Sequence, residues 1–306
     1  MPVHLVVAIT DQGWFEHLRH RQDLPEINFW APSGAPFKAL AAGEVFLFKL
    51  HSPHNYIVGG GIFAYANVLP CSLAWEAFTQ ANGSETQEEM RRRIAHYRRS
   101  DPHDRSDFLI GCRILTEPFF LEESDWIPVP RSWPINTQTL KRYSTDEADG
   151  LSLWEAVQSH LRGSTEYGIR EPRMRFGEPT LIRPRLGQGA FRIMVTDSYN
   201  RRCAVTRERT LPALDAAHIR PYAEGGAHEP ENGLLLRKDI HSLYDAGYVT
   251  VTPDLRFEVS PRIREEFENG REYYALHGTS ISPPDLPSRR PDQAALAWHN
   301  EHRFRS

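Results

Sequence analysis

The sequence predicts an α+β fold made of two unlike regions, and three observations support this. Short apolar runs separated by turn residues fill the first 130 residues, whereas a strand, a loop and a capped helix follow one another between residues 203 and 247. The length of 306 residues is about twice that of a typical domain. Hydrophobic residues make up 40% and charged residues 25% of the chain, an ordinary balance for a globular protein.

Several classes of protein are excluded by the same composition. No apolar run reaches the roughly 18 residues that a membrane span needs. The apolar segment 3–9 is too short for a secretory signal and has no basic lead-in, so it is predicted as a first buried strand. Cys71, Cys112 and Cys203 form no C-x-x-C pair, so neither a redox pair nor structural zinc is expected. We therefore expect a cytoplasmic protein with no membrane partner.

The first region is predicted to be a sheet-rich, barrel-like domain at residues 1–130. Gly59–Gly61 interrupt one strand without side chains, so the backbone there either bulges or is approached closely by another segment. The segment 86–99 is a predicted helix that begins with acids and ends with arginines, an order that suits the helix dipole and equally suits a surface facing DNA. Further strands are predicted at 45–50, 56–58 and 110–115.

A linker containing one helix is predicted at residues 131–185. The helix stops at Gly163, and the stretch from Glu171 to Arg185 is rich in arginine and proline. The apolar side of the helix comprises Leu153, Trp154, Val157 and Leu161. A second domain is predicted at 186–280, with a helix at 189–199 near its start. A tail is predicted at 281–306.

Charge is uneven along the chain, which carries −4 in total. Residues 1–150 carry a net charge of −5. Between Arg183 and Tyr222, eight arginines face only three acids, so this stretch carries +5. Such a local excess is typical of a surface that faces phosphates, although a solvated charged face remains open.

The block from Cys203 to Gly247 contains the most informative pattern. A predicted strand ends in AAHI, a loop runs to Asn232, and a short helix follows with Asp239 predicted as its N-cap. Within this helix His241 and Asp245 are four residues apart, so they lie one above the other and can share one divalent cation. The segments 248–252 and 256–260 are predicted to close the domain as a hairpin.

Three residues of this block carry a resemblance to the HNH endonucleases, whose ββα-metal fold cleaves DNA. They are His218 in AAHI, Asn232 in ENGLLL and His241 in the following helix, and the resemblance covers about residues 186–275. It implies that His218 is the general base, that Asn232 braces the loop and keeps the tautomer and aim of His218, and that His241 and Asp245 bind one Mg²⁺ or Mn²⁺.

The block also departs from the pattern of that family. Many HNH enzymes carry a metal ligand immediately before the catalytic histidine, but Ala217 stands there in this chain. Asp215 is the nearest upstream carboxylate, and the alternation of a strand leaves its direction open. Many relatives also hold the fold with a four-cysteine zinc site, whereas Cys203 has no mate and is predicted to be a buried structural thiol.

The first region resembles the PUA-like superfamily, in particular its EVE and YTH branches, over residues 3–130. The match lies in INFWAPSG at 27–34, in GE at 43–44 with FLFKLHS at 46–52, and in IVGGG at 57–61. Such domains, with the SRA type among them, hold a modified base in an aromatic cage. The resemblance implies that Trp30 and Trp75 form the cage and that Asn28 and Ser33 bind the edge of the base; a core position for Trp75 in a helix at 73–78 remains open.

Together these features predict a modification-dependent, type IV-like restriction endonuclease. A 5-methyl or 5-hydroxymethyl cytosine would be flipped from double-stranded DNA into the first domain, and the HNH domain would cut nearby. Cutting both strands needs two active sites or two binding events, so a homodimer on DNA is expected. The alternatives are an HNH nuclease or nickase that reads another mark or RNA, a catalytically inactive DNA-binding protein, and a purely structural metal site.

Overall fold

The computed structural model describes residues 2–21, 23–101, 104, 106–134, 136–137, 139–163 and 184–306. By their internal contacts the residues form two compact units, unit 1 from Met1 to Arg185 and unit 2 from Leu186 to Ser306. Both contain helices and strands, so the α+β class is confirmed. Among the described residues, no helix has the length and apolar character needed to cross a membrane.

Unit 1 is built on one sheet with the strand order β2-β5-β4-β3-β1-β7, and β6 pairs with β4. β1 and β3 run parallel, and the other pairs are antiparallel. The strands are β1 (His4–Thr10), β2 (Glu26–Ala31), β3 (Val45–Leu50), β4 (Tyr56–Pro70), β5 (Leu109–Phe120), β6 (Ile127–Pro128) and β7 (Leu140–Ser144).

The three consecutive glycines of β4 are explained by close packing between strands. A Cβ atom at Gly59 would lie 2.4 Å from the carbonyl oxygen of Phe119, and one at Gly60 would lie 2.7 Å from that of Phe46. The pairing of β4 with β5 also shifts register between Gly60 and Ile62. At these glycines, where a bulge or the close approach of another segment was predicted, neighbouring strands approach closely and the register shifts.

Two helices of unit 1 begin at polar side-chain caps. The Asp11 side chain accepts a hydrogen bond from the backbone N–H of Trp14, and the Thr86 hydroxyl accepts one from Glu89. The glutamates in the first turn of the Thr86-capped helix and its basic last turn match the helix dipole. The helices are α1 (Gln12–Arg19), α2 (Cys71–Phe78), α3 (Gln87–Arg98) and α4 (Ala148–Gly163).

Part of the predicted linker at 131–185 belongs to the body of unit 1. β7 pairs with β1 in antiparallel register, and Tyr143 is buried in a cluster with Leu153 and Trp154 of α4. Apolar side chains of β7 and α4 thus cover the side of β1 that would otherwise be exposed to water. Residues 164–183, which include most of the stretch from Glu171 to Arg185, lie outside the described residues.

Unit 2 contains two small antiparallel sheets surrounded by short helices. The predicted hairpin at 248–260 is confirmed as β10 and β11. The elements are α5 (Gln188–Ser198), β8 (Leu214–His218), β9 (Gly233–Arg237), α6 (Lys238–Asp245), β10 (Val249–Val251), β11 (Phe257–Val259), α7 (Arg262–Phe267), α8 (Arg271–Tyr274) and α9 (Gln293–His302).

The predicted tail at 281–306 contains α9, which packs into the core of unit 2. Leu296 is fully buried in the same apolar cluster as Leu234 and Tyr244. His299 stacks on the ring of Tyr244 at 3.7 Å, accepts a hydrogen bond from the hydroxyl of Thr250 at Nδ1, and donates one to the carbonyl of Tyr244 from Nε2. These contacts make α9 part of the fold.

Candidate active site and nucleobase pocket

The candidate active site of unit 2 is built on the β8–loop–β9–α6 segment. β8 and β9 pair so that His218 lies opposite Gly233 and Asp215 opposite Leu236. α6 follows β9 directly and buries Ile240 and Tyr244, which leaves His241 and Asp245 beside its apolar face. The structure begins α6 at Lys238, so Asp239 lies inside the first turn; it pairs with Arg237 and is not the N-cap.

His241 lies between two carboxylates. Its Nδ1 atom is 3.2 Å from Oδ2 of Asp215 on β8, and its Nε2 atom is 3.3 Å from Oδ2 of Asp245. Arg192 of α5 lies 3.7 Å from the other oxygen of Asp215. The direction of Asp215, which the alternation of the strand left open, is therefore toward His241.

The charges of this cluster shift the pKa values in opposite directions. Burial alone would lower the pKa of His241, but the hydrogen bond with Asp215 and the charge of Asp245 raise it. Burial alone would raise the pKa of Asp215, but the hydrogen bond with His241 and the charge of Arg192 lower it. The pKa of Asp245 is raised by burial and by the charge of Asp215, which outweigh the effect of His241.

The donor set of this cluster suits a hard divalent cation. Two carboxylates and one imidazole are ligands that Mg²⁺ and Mn²⁺ accept, with water and phosphate oxygens in the other positions. In the described part of the chain, no three His, Cys, Asp or Glu side chains enclose an ion-sized site by themselves. Asp215, His241 and Asp245 would therefore hold a cation only together with water or substrate.

His218 is packed on one face and contacted at one edge. Its ring stacks on Phe191 of α5 with a centroid distance of 3.8 Å and an angle of 10°. Its Nε2 atom lies 3.0 Å from Nδ1 of His228, and the ring of His228 stacks in turn on Tyr222 at 4.4 Å. Burial and the nearby rings of His228 and His241 lower the pKa of His218 to about 4, so it is neutral near pH 7.

Asn232 braces the loop through the backbone. Its Oδ1 atom accepts from the backbone N–H of Arg220, and its Nδ2 atom donates to the carbonyls of Arg220 and Ala227. A Cβ atom at Gly226 would lie 1.9 Å from the carbonyl oxygen of Arg220, so this loop position accepts only glycine without a shift of the backbone. The hydrogen bonds of the Asn232 side chain reach no atom of His218; the residue that contacts the ring edge is His228.

Unit 1 contains a pocket of about 420 Å³ beside β2. This volume lies in the range of about 300–1,000 Å³ that is typical of small-molecule sites. The aromatic lining residues are Trp14, Phe29, Trp30, Phe37, Phe46 and Tyr97. The lining residues with polar side chains are Thr10, Asp11, Ser33, Lys38, His51, Arg113 and Thr139.

Two of the four predicted base-contacting residues line this pocket. Trp30 and Ser33 do so, and Trp30 lies on β2 with 8% of its surface exposed. Its Nε1 atom donates to the carbonyl of Asn82. Asn28 is fully buried and donates to Asn82 and Cys112, and Trp75 lies on α2; neither is among the described residues that line the pocket.

The pocket is completed by residues that local sequence patterns did not indicate. Tyr97 of α3 is 39% exposed, and its hydroxyl donates to Asp11 at 2.6 Å. Its ring centroid lies 6.4 Å from that of Trp30 at an angle of 56°. Arg113 of β5 is buried over the ring of Phe37, and burial lowers its pKa. The sequence gives little indication that Tyr97 and Arg113 lie near Trp30, since they are 67 and 83 positions away from it.

The arginines of α3 divide into two groups. Arg91, Arg93 and Arg98 donate to backbone carbonyls of Ser106, Gly83 and Pro32. Arg92, and Arg99 at the C-cap of α3, are exposed, and their side chains form no hydrogen bond or ion pair with other described residues. Arg92 and His96 are four residues apart and lie with Tyr97 around a second hollow that shares Asp11 and Tyr97 with the pocket.

Comparison with protein families identifies the domain that contains the candidate active site. Residues 203–252 match the family described as HNH endonuclease. This segment is an HNH endonuclease domain, so the predictions of such a domain and of a nuclease, an enzyme of the hydrolase class, are confirmed. HNH nucleases in general use a divalent metal. A search of curated protein sequences found no match to the chain.

Solved structures with similar arrangements include two proteins of different size. ASCH from Zymomonas mobilis is 10% identical with a TM-score of 0.34, and the match covers 49% of this chain and 94% of that one. A structure titled modification dependent TagI restriction endonuclease is 12% identical with a TM-score of 0.31, and the match covers 96% of this chain and 80% of that one.

Proposed function

We propose that this protein is a modification-dependent restriction endonuclease. The pocket of unit 1 holds a modified cytosine, 5-methyl or 5-hydroxymethyl, flipped out of double-stranded DNA, and the HNH domain hydrolyses a phosphodiester bond of the same DNA. The observation that carries the proposal is the presence, in one chain, of an HNH domain and of an aromatic pocket large enough for a base.

The residues of unit 2 provide the parts of the hydrolysis. His218, neutral at pH 7, accepts a proton from water whose oxygen attacks the phosphorus, and the bond from phosphorus to the 3′ oxygen breaks. Asp215, His241 and Asp245 would hold one Mg²⁺ or Mn²⁺, which supplies positive charge to stabilise the leaving oxygen. Asn232 holds the loop that follows His218.

The lining of the unit 1 pocket supports a pyrimidine base as ligand. A dry cavity of about 150 Å³ is enough for benzene, so about 420 Å³ has room for a single-ring base with a substituent. Trp30 and Tyr97 offer aromatic surface for stacking. Asp11 can accept a hydrogen bond from the exocyclic amine of cytosine, and Arg113 can donate to its carbonyl.

Arg92, His96 and Arg99 support DNA as the partner. Of the two interpretations of α3 that the sequence left open, a structural one holds for Arg91, Arg93 and Arg98, which bind unit 1 itself. The exposed Arg92, beside the pocket, and the exposed Arg99, at the end of the same helix, would bind phosphates. We further propose that two copies act on the two strands, and that the protein, with its three free, buried cysteines, works in the cytoplasm.

The test is cleavage of matched plasmids that carry cytosine, 5-methylcytosine or 5-hydroxymethylcytosine, in Mg²⁺ or Mn²⁺, by the full chain. We expect cleavage of modified plasmids only, and no cleavage when the metal is chelated. Equal digestion of all plasmids would remove the modified-base proposal and leave an HNH nuclease that reads another feature. Tight binding of DNA without cleavage in either metal would instead indicate an inactive DNA-binding protein.

A further inference from the structure

We propose that His228 is a positioning residue for hydrolysis: it accepts the Nε2 proton of His218 and thereby leaves Nδ1 of His218 as the nitrogen that takes the proton from water. This inference rests on the proposed role of His218 as general base. The strand–loop–helix spacing singled out three residues, and His228, in the loop sequence GGAHEPEN, was not one of them.

The geometry brings two imidazole edges together within the loop that Asn232 braces. Nε2 of His218 and Nδ1 of His228 are 3.0 Å apart, and the two rings are inclined by 63°. Two neutral imidazoles at this distance form one hydrogen bond, in which one nitrogen donates and the other accepts. Burial lowers the pKa of both rings, so both are neutral near pH 7.

The direction of the hydrogen bond between His218 and His228 follows from what the other ring nitrogen of each histidine can do. Nδ1 of His218 has no hydrogen-bond partner among the described residues. If Nδ1 carried the proton, Nε2 would accept from His228 and Nδ1 could only donate to water, so neither nitrogen of His218 could take a proton from the attacking water. If Nε2 carries it, Nδ1 keeps a free lone pair for a water molecule, and the half-buried His228 can expose its own Nε2–H to solvent.

Two aromatic rings hold this histidine pair. Phe191 covers one face of His218, and Tyr222, which is 65% exposed, covers one face of His228 at an angle of 8°. The His228 ring is therefore fixed by stacking as well as by the hydrogen bond, as expected of a partner that selects a tautomer. Because Tyr222 is exposed, the His228 side of the pair lies near the surface of the domain.

The first experiment compares three variants of the full chain on a plasmid that the wild type cleaves. His228→Phe keeps a ring for Tyr222 but has no acceptor, and we expect its kcat to fall about 10- to 100-fold with KM nearly unchanged. His228→Asn keeps an acceptor close to the position of Nδ1, and we expect it to recover most of the kcat. His302→Ala removes an exposed histidine that also stacks on an aromatic ring, Trp298, and serves as the control.

A second readout needs no metal and no activity. In protein labelled with ¹⁵N-histidine, the two ring nitrogens of His218 give distinct chemical shifts, assigned by their loss in His218→Ala. We expect the shifts of the tautomer protonated at Nε2 in the wild type and in His228→Asn. In His228→Phe we expect a mixture of both tautomers.

The outcomes separate this inference from the proposed function. A wild type that cleaves no DNA, or a His218→Ala variant that cleaves normally, would overturn the proposed function itself. If the wild type cleaves and His218→Ala does not, an unchanged or raised kcat in a folded His228→Phe variant would overturn the role of His228. A wild-type spectrum with the proton on Nδ1 of His218 would overturn it as well.

Discussion

The candidate sites of unit 1 and unit 2 are built from different kinds of side chain. The pocket of unit 1 is a cavity of about 420 Å³ lined mainly by aromatic and small apolar side chains, with Asp11, Lys38 and Arg113 as its charged lining residues. The site of unit 2 consists of titratable side chains in two groups: the pair of His218 and His228 at 3.0 Å, and the cluster of Asp215, His241 and Asp245 with contacts of 3.2 and 3.3 Å. An aromatic cavity can select a flat ligand, and acids and imidazoles can bind a cation and move a proton.

The proposed function therefore assigns selection and hydrolysis to different units of the chain. Changes in the unit 1 pocket should alter which DNA is cleaved, and changes in the unit 2 site should alter how fast any bound DNA is cleaved. An experiment in which a pocket variant and an active-site variant have the same effect would break the comparison.

The largest expected effect is the loss of the base. His218→Ala should lower kcat about 10²- to 10⁴-fold, the usual contribution of a general base, because no other described side chain takes its place between Phe191 and His228. The rate is measured on modified plasmid at saturating enzyme. Binding of modified DNA by the same variant, measured by fluorescence anisotropy, should stay within twofold; loss of binding would show that the two units are not independent.

The second largest expected effect is a loss of the stability of unit 2 at acidic pH. Burial lowers the pKa of His299 to about 4, so the unfolded chain binds more protons than the folded one between pH 6.5 and pH 4. The contribution of His299 to the free energy of unfolding should therefore be constant above pH 7 and fall by up to about 3 kcal/mol as the pH drops to 4. His218, with its similarly lowered pKa, adds to the same trend.

Hydrogen exchange of the full chain, corrected for the intrinsic effect of pH, can follow each unit separately. Peptides from β10 and α9 should lose protection between pH 6.5 and 4.5 before those from β1 and β3. His299→Gln should make the loss in unit 2 shallower, and His302→Ala is the exposed-histidine control. Simultaneous loss in both units would contradict the assignment to His299.

The third effect is on selection. Tyr97→Ala removes a partly exposed ring from the pocket, and the stacking of one base on one aromatic ring contributes about 1–3 kcal/mol. The ratio of kcat/KM for modified and unmodified plasmid should fall about 5- to 150-fold, while kcat on saturating modified DNA stays near the wild-type value. Tyr56→Ala, an exposed tyrosine that is not among the described residues lining the pocket, is the control.

The smallest effect is on non-specific affinity. The double change Arg92→Ala with Arg99→Ala should weaken binding of modified and unmodified DNA alike and reduce the slope of log K against log salt by about 2. The double change Arg262→Ala with Arg264→Ala removes the same charge from α7 and is the matched control. A slope that does not change in the α3 variant would remove these arginines from the DNA interface.

The sequence predicted the HNH domain of unit 2 because the residues that indicate it are local. His218, Asn232 and His241 lie within one strand, loop and helix, so their spacing alone indicates the fold that joins them. The direction of the Asp215 side chain could be known only from the structure of β8. Phe191 lies on α5, outside the block, so the spacing within the block could not connect it to His218. His228 was missed because a loop has no period that would mark one of its residues as facing inward.

The unit 1 pocket was harder to predict because it is assembled from distant segments. Trp30 was found from an aromatic stretch. Asn28 lies two residues earlier on the same face of β2, but its side chain is buried against Asn82 and Cys112. Tyr97 and Arg113 reach the pocket only through the packing of α3 and the pairing of β5 with β2. Likewise β7 joins the sheet beside β1 from 130 residues farther along the chain, which no local pattern reveals.

The irregular segment at 32–39 suggests how the preference of the pocket could be altered. Trp30 is tied to Asn82, whose side chain also donates to the carbonyls of Ala74 and Thr79, so replacing this tryptophan disturbs α2 as well. Ser33, Phe37 and Lys38 line the same cavity from a stretch without regular structure, where substitutions and insertions are tolerated best. Under the proposed function, a library confined to this stretch is the natural starting point for enzymes that bind other modified bases.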